Sequence, residues 1–594
     1  MIELYINKVL AELPPELSFT FVMENPYFTS SSNSTLTIEL SMNSQVNRKI
    51  FRHYNRLDTP KSVLSLPAVL INNNQVKLRG TAIVNSVTDE TISIQLVSGN
   101  SEFNFRTNDD VYIDRLDLGE TPYPSAHALI WNRPEYKPEY YGTVDQTDSL
   151  IIQSESGEKV NFNMSYFQYK GDMFTPLIYP SYLCAQPYLT YLIQKIVESV
   201  GYTVGQNDID KTFLRNLYVV SSVQSRKIAT ALPHWTISDF LDEIEKFCQV
   251  ITVVDEGNKV VNFYNLADFY KDSETFVIPA DDVVAAFTVN MEDVQDKDIS
   301  TGNVGYDLPT LDANKYDYID EAIKYNAQTE TFSSYAEMET FWNGLERDEK
   351  PQYIFSIGER RYINYRQKKE GSEETTDSLK EVDLFRNLIR DEEDESVDTT
   401  LKIVPVALSL CKIGLYEQPS DQFFGKEPLM QLDSLLPVSS YKTTQPEEIN
   451  VQDAIEGEES VQGEDDGKGI LEVAFSTGTH EFSYTVGEET FTTNLPIPFT
   501  DYNQKVPGMT GSFPQYSLSL NPVCSDSIGS RIKAVNKVDT RVSYEIDFIY
   551  RKPNIDATKL FLIANQLYQC KQLEVEVDKN GFSSIYKGVF YRVQ

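Results

Sequence analysis

Histidine and cysteine are scarce in this chain, and their scarcity removes whole classes of chemistry. Four histidines in 594 residues, His53, His127, His234 and His480, leave little room for imidazole-based proton transfer. The five cysteines, Cys184, Cys248, Cys411, Cys524 and Cys570, are far apart and odd in number. No CxxC pair or Cys/His cluster forms, so neither a zinc site nor a disulfide framework is indicated, and reduced, mostly buried thiols are expected. Basic residues are also few, with 52 Lys and Arg facing 89 Asp and Glu for a net charge of −37. A surface this acidic repels nucleic acid and anionic lipid. It serves solubility or, in a sharper reading, lets nucleic acid pass without adhering. No apolar run approaches the roughly 18 residues of a membrane span. Met1–Leu10 has no basic stretch followed by an apolar core, so synthesis in a cytoplasm without the usual export route is expected. Nucleophile elbows, phosphate-cradling glycine loops, HExxH and dinucleotide fingerprints are missing as well. The expectation is a protein that is not an enzyme and carries no cofactor or metal. Carboxylate pairs for glycoside cleavage stay open only because 89 acids supply many candidates.

What the chain does have is apolar and aromatic material. Hydrophobic residues make up 41%, with 36 Tyr and 31 Phe, so most of the length can bury a core and leans towards strands. At about 100–200 residues per domain the length implies roughly three to five domains. The clearest local pattern runs from Leu232 to Tyr264. Thr236 is placed as an N-cap with Asp239 three residues on. Ile237, Phe240, Leu241, Ile244, Phe247 and Cys248 then form one helical stripe behind Trp235. Strands Val250–Val254 and Lys259–Tyr264 follow, joined at Glu256-Gly257-Asn258. His234 reads as a contact onto Phe240 or Leu241, ahead of the cap.

The layout of helix, cysteine, strand, Gly/Asn turn and strand recurs near the end of the chain. Asp556 can cap a helix to Cys570 whose stripe is Leu560, Phe561, Ala564, Leu567 and Tyr568, and a strand pair turning at Lys579-Asn580-Gly581 follows. Two β-plus-helix modules are therefore expected. Leu189–Val200 forms another stripe, ended by Gly201, and a further helix is expected near Tyr335–Leu345. His53, among Arg52 and Arg56, reads as a surface histidine beside a short helix at Val46–Leu57.

Composition divides the chain into six blocks. Residues 1–118 form an all-β block, and 119–230 a Tyr/Pro-rich segment with a helix–strand unit. Residues 231–300 hold the helix–hairpin, 301–443 are mixed with an acidic insertion, 444–469 make an acidic linker, and 470–594 are β with the second helix–hairpin. Within the second block Tyr123, Trp131, Tyr136, Tyr140 and Tyr141 suit loop anchoring, a subunit interface or stacking on sugars. Residues 366–400 and 444–469 read as mobile, solvated insertions, the latter with nine acids against one lysine. Both lack the ligand spacing of an EF-hand. The fold class expected is mainly β with short packing helices (α+β), multidomain, with barrel-like modules each braced by a helix.

Several of these stretches resemble tail proteins of phages and prophages of the Bacteroides group. They are STLTIELSMNSQVNRKIFRHYNRLD, LRGTAIV, IQLVSGNSEFNF, Tyr191–Val204, LPHWTISDFLDEIEKFCQVITVVDEGNKVVNF and DATKLFLIANQLYQCKQLEVEV with YKGVFYRV, about half of the chain in all. The helix–hairpin unit is similar to what the baseplate hub family places in its tube-like barrels. The resemblance implies a virion protein at the distal end of a tail, made in the bacterial cytoplasm. It implies homo-oligomeric rings, trimers before hexamers, partnered by tube, distal-tail, fibre or tip proteins. DNA would pass without tight binding, and no membrane insertion is implied. A tail-tip adhesin for host glycans and a polysaccharide-cleaving enzyme are the rival readings.

Overall fold

The computed structural model of the protein describes residues 2–593 except 121–149, 292–303, 308–327, 383–398, 416–429, 439–468 and some shorter breaks. Two apolar cores organise these residues, and neither coincides with a block of the sequence. One runs from Phe103 to Ile528 and contains the helices Leu189–Ser199 and Ile237–Cys248. The other combines side chains from Ile2 to Leu96 with Phe276, Ile278 and Ile546 to Phe590. A bridging cluster of Tyr27, Phe28, Ile251, Leu266, Val535, Val538 and Tyr591 joins the two.

The second core is covered by one sheet made from both ends of the chain. Strands Ile2–Ile6, Ser65–Asn72, Gln75–Val87 and Thr91–Val97 follow each other antiparallel. Ser18–Glu24 then pairs with Gln566–Asp578, Phe21 opposite Val575. Alternation decides which face is buried: Ile2, Leu4 and Ile6 point inward while Glu3 and Tyr5 are half-exposed. The first and last blocks thus share a sheet. The sheets run open, with no closed ring of strands among the described residues, so the barrel expected in each module is replaced by open sheets.

The second helix–hairpin is corrected. Residues 560–563 and 566–578 are strands, with Leu560 opposite Gln569, Phe561 opposite Tyr568 and Leu562 opposite Leu567. Ala564 and Asn565 form the two-residue turn, both left-handed at φ 47° and 68°. That is the geometry that matches the right-handed twist of a hairpin. Asn7-Lys8 and Asn73-Asn74 make the same turn. The helical spacing of Leu560, Phe561, Ala564, Leu567 and Tyr568 arises because positions flanking such a turn face each other across it. An expected outcome follows. Ala564→Gly should stabilise the chain by about 0.5–1 kcal/mol in chemical denaturation, since glycine relieves the left-handed strain. In a helix the same change would cost about 1 kcal/mol.

The remaining blocks also interleave. Strands Leu150–Ser154 and Lys159–Phe162 join Thr479–Val486 and Glu489–Pro496 in one sheet. Phe167–Lys170 and Met173–Pro176 join Ala407–Leu415 and Met430–Val438 in another. Within the first core Val304–Tyr306 lies parallel to Thr399–Leu401. Between these neighbouring strands the chain builds a small unit in which the helix Tyr335–Gly344 packs on the sheet Gln328–Phe332, Tyr353–Ile357, Arg360–Lys368 and Thr375–Val382. Its own core is Met338, Phe355 and Tyr362. Part of the stretch expected to be a mobile insertion is therefore strand, tied by Arg366 Nε to Asp377 Oδ1 at 2.8 Å. The acidic 444–468 lies outside the described residues.

Candidate functional site

The helix Ile237–Cys248 meets the distant segments Thr399–Leu401, Ile403–Pro405 and Ile528–Ala534, and its capping explains where it starts. Thr236 Oγ1 accepts from Asp239 N at 3.0 Å, and Asp239 Oδ2 accepts from Thr236 N at 3.1 Å. This reciprocal box satisfies two backbone donors. Ile237, Phe240, Leu241, Ile244, Phe247 and Cys248 are all buried, and Trp235 packs with them while its Nε1 donates to Gly469 O at 3.1 Å. Gln249 turns left-handed at φ 51°, and the antiparallel strands Val250–Asp255 and Val260–Asn265 follow.

Two buried acids on this helix bind backbone instead of solvent. Glu245 Oε1 accepts from Thr252 N at 2.8 Å, fastening the helix to its own hairpin. Glu243 Oε2 accepts from Lys402 N at 3.0 Å. At the other end Arg531 donates to Cys248 O at 2.6 and 3.1 Å, capping the last carbonyl with a guanidinium. Burial pulls the Arg531 pKa down. Burial also pushes the Cys248 thiol up to about 12, so it stays protonated and unreactive.

The hairpin is held from outside by residues of the first block. Asn100 Nδ2 donates to Thr252 O at 2.7 Å and its Oδ1 accepts from Val254 N at 2.9 Å, so one amide imitates a neighbouring strand. Glu102, 1% exposed, accepts at Oε1 from Thr81 at 2.6 Å and Arg106 at 2.7 Å, with Lys259 at 3.4 Å. Lys259 also lies over the Tyr202 ring, whose hydroxyl burial pushes up to about 12.

His234, expected to contact Phe240 or Leu241, has partners from a remote segment. It stacks on Tyr112 at 3.9 Å and 9°, with Nδ1 at 3.0 Å from Asp114 Oδ2. The backbone explains this: Ile113 N donates to Trp235 O and Ile237 N to Val111 O, drawing residues 111–114 alongside the cap. His480 sits edge-on to Phe513 and its pKa is lowered by burial. The sign is fixed: below the ordinary 6.5 an unfolded His480 takes a proton that the folded one resists, so stability falls as pH drops through that window. His480→Gln should flatten the acid limb of a denaturation–pH profile.

Of the expected site residues, the first helix stripe converges on one core, whereas Leu560, Phe561, Ala564, Leu567 and Tyr568 belong to strands and a turn near the other. Tyr123, Trp131, Tyr136, Tyr140 and Tyr141 lie outside the described residues. Among the described residues no three His, Cys, Asp or Glu side chains are grouped to hold a metal, and no helix is long and apolar enough to cross a membrane. The residues missed, Arg531, Asn100, Glu102 and Asp114, act on partners from remote parts of the chain, and no local pattern marks them.

The arrangement defines a mainly β protein of several sheets with few helices, built for cohesion around a capped helix and its hairpin. No family model and no curated protein sequence matches the chain. Among solved structures, a 43 kDa tail protein of prophage MuSo2 from Shewanella oneidensis is similar at 8% identity and a TM-score of 0.30. That match covers 100% of this chain and 97% of the other.

Proposed function

We propose that the chain is a structural subunit of a phage tail, placed in a ring at the distal hub. The observation that carries this reading is which segments build the framework. The stretches resembling Bacteroides-group tail proteins, residues 34–58, 78–84, 94–105, 191–204, 232–263, 556–577 and 586–593, contain Ile38–Ser41, Gln45–Ile50, Ile237–Cys248, Val250–Asp255 and Leu560–Ile563, with most of Val260–Asn265 and Gln566–Asp578. They supply the capped helix, its hairpin and the strands that join the two ends of the chain. The resemblance thus falls on the packed framework, as suits a protein whose work is assembly. In this reading the subunit supports fibre or tip proteins and borders the path of DNA, where its acidity keeps a polyanion from adhering. Catalysis has no part in it.

The test is mass photometry of the purified full chain together with microscopy of the particle that carries it. Closed rings of three or six copies are expected. A chain that is monomeric at all concentrations and sits on the particle as a lone appendage would overturn the reading in favour of the glycan-binding adhesin, which an array of host glycans then checks.

A further inference from the structure

We propose that the loop following the helix Gln45–Ile50 is the docking element by which one copy engages an acidic face of a second copy, head to tail. The inference rests on the ring reading above. Its first support is charge. The chain carries −37 overall, yet between Gln45 and Val63 the charged residues are Arg48, Lys49, Arg52, Arg56 and Lys61 against Asp58 alone. Copies of so acidic a chain repel one another, and a cationic projection is where that repulsion turns to attraction.

The second support is construction. Phe51 and Tyr54 are buried in the core of the shared sheet and anchor the loop. Lys61 lies over the Tyr54 ring at 4.6 Å and donates to the carbonyls of Tyr54 and Arg56. Ser62 N donates to Tyr54 Oη at 2.6 Å, and Arg56 closes on Asp58 at 2.7 Å. These bonds occupy Arg56 and Lys61 and leave Lys49, Arg52 and His53 exposed, with Lys49 and Arg52 in no ion pair among the described residues. Arg52 and His53 are consecutive left-handed residues, at φ 51° and 57°. Such backbone is costly without glycine and persists where the surroundings over-determine it.

The third support is Leu57. It is fully exposed, and Val63 is 78% exposed, so the loop presents apolar contact area ringed by cations. Cation and apolar groups together suit a protein face with an acidic rim, and Arg is enriched in such contacts. A two-fold contact centred on the loop would set cation against cation. The surface therefore suits a heterologous contact, which closes into a ring when the rotation allows.

The test compares the full chain with Lys49→Glu/Arg52→Glu, with Leu57→Asp, and with Lys533→Glu/Lys587→Glu, which makes the same change of net charge elsewhere. Circular dichroism checks that each is folded, and Leu57→Asp alters a side chain with no packing to lose. Mass photometry should show assembly weakened roughly tenfold or more in both loop variants and kept in the control. Raising salt to about 0.5 M should weaken the native chain in the same direction. Loop variants that assemble like the native chain overturn this proposal and leave the ring reading standing. A native chain that never assembles overturns both. Normal assembly with lost binding to phosphatidylglycerol vesicles or to duplex DNA also overturns it, and assigns the loop to that partner.

Discussion

Phe240→Ala is expected to cost about 3–5 kcal/mol and to open a cavity in the larger core. Phe240 is wholly buried, and its neighbours on the stripe, Ile237, Ile244 and Phe247, are fully buried too. Relaxation into the gap is limited because the helix is fixed at both ends, by the Thr236 box and by Arg531. Glu243 and Glu245 further pin it to Lys402 and to the hairpin. The change should show in guanidinium denaturation followed by tryptophan fluorescence, since Trp235 lies in the same core. Hydrogen exchange gives a second reading. Amides of Val250–Asp255 and Val260–Asn265 should lose protection first, whereas those of Ile2–Ile6 and Ser65–Asn72 belong to the other core and should hold longer. A loss under about 1 kcal/mol would mean that the site collapses freely and is not the packed centre described.

That helix was legible because everything that defines it is local: a cap, an acid three residues on, and an apolar stripe within one span of sequence. The strands of the first block were legible for the same reason, since Ile38, Leu40, Ile92, Ile94 and Leu96 alternate and are buried. Leu560–Tyr568 misled because a two-residue turn sets Phe561 opposite Tyr568, an i and i+7 pair, which is also a helix-face spacing. Asn565 after Ala564 was the signal against a helix, the same pair of left-handed positions that Asn7 and Asn73 open elsewhere. Long-range strand pairing was illegible for a different reason. Ser18–Glu24 finds its partner in Gln566–Asp578, and nothing in either segment specifies a neighbour so distant. Edge amides accept any strand of suitable register, so pairing is settled by which apolar faces share a core. His234 is a smaller instance, its partner Asp114 being brought up by backbone pairing.

Arg531→Ala should cost about 3 kcal/mol, more than a surface arginine and nearly as much as a core aromatic. The side chain is charged, mostly buried and bonded to Cys248 O at 2.6 and 3.1 Å, with Asn265 Oδ1 at 3.4 Å. Removing it strips these donors from Cys248 O, the last carbonyl of the helix, and an unmet buried acceptor bears the full desolvation cost. It also cuts the tie between the helix Ile528–Ala534 and the hairpin end at Asn265. Gly529, two residues ahead, shows how little freedom that helix has: a Cβ there would meet Leu520 O at 2.3 Å. Arg531 therefore cannot be replaced by sliding the helix. Lysine restores one donor without the fork, so Arg531→Lys should recover only part of the loss. Arg531→Met separates packing from capping, because it fills most of the volume and supplies no donor. Chemical denaturation of the three variants should rank them Lys, Met, Ala from most to least stable. A methionine variant as stable as the native chain would show that the guanidinium is dispensable and that packing alone seats the helix.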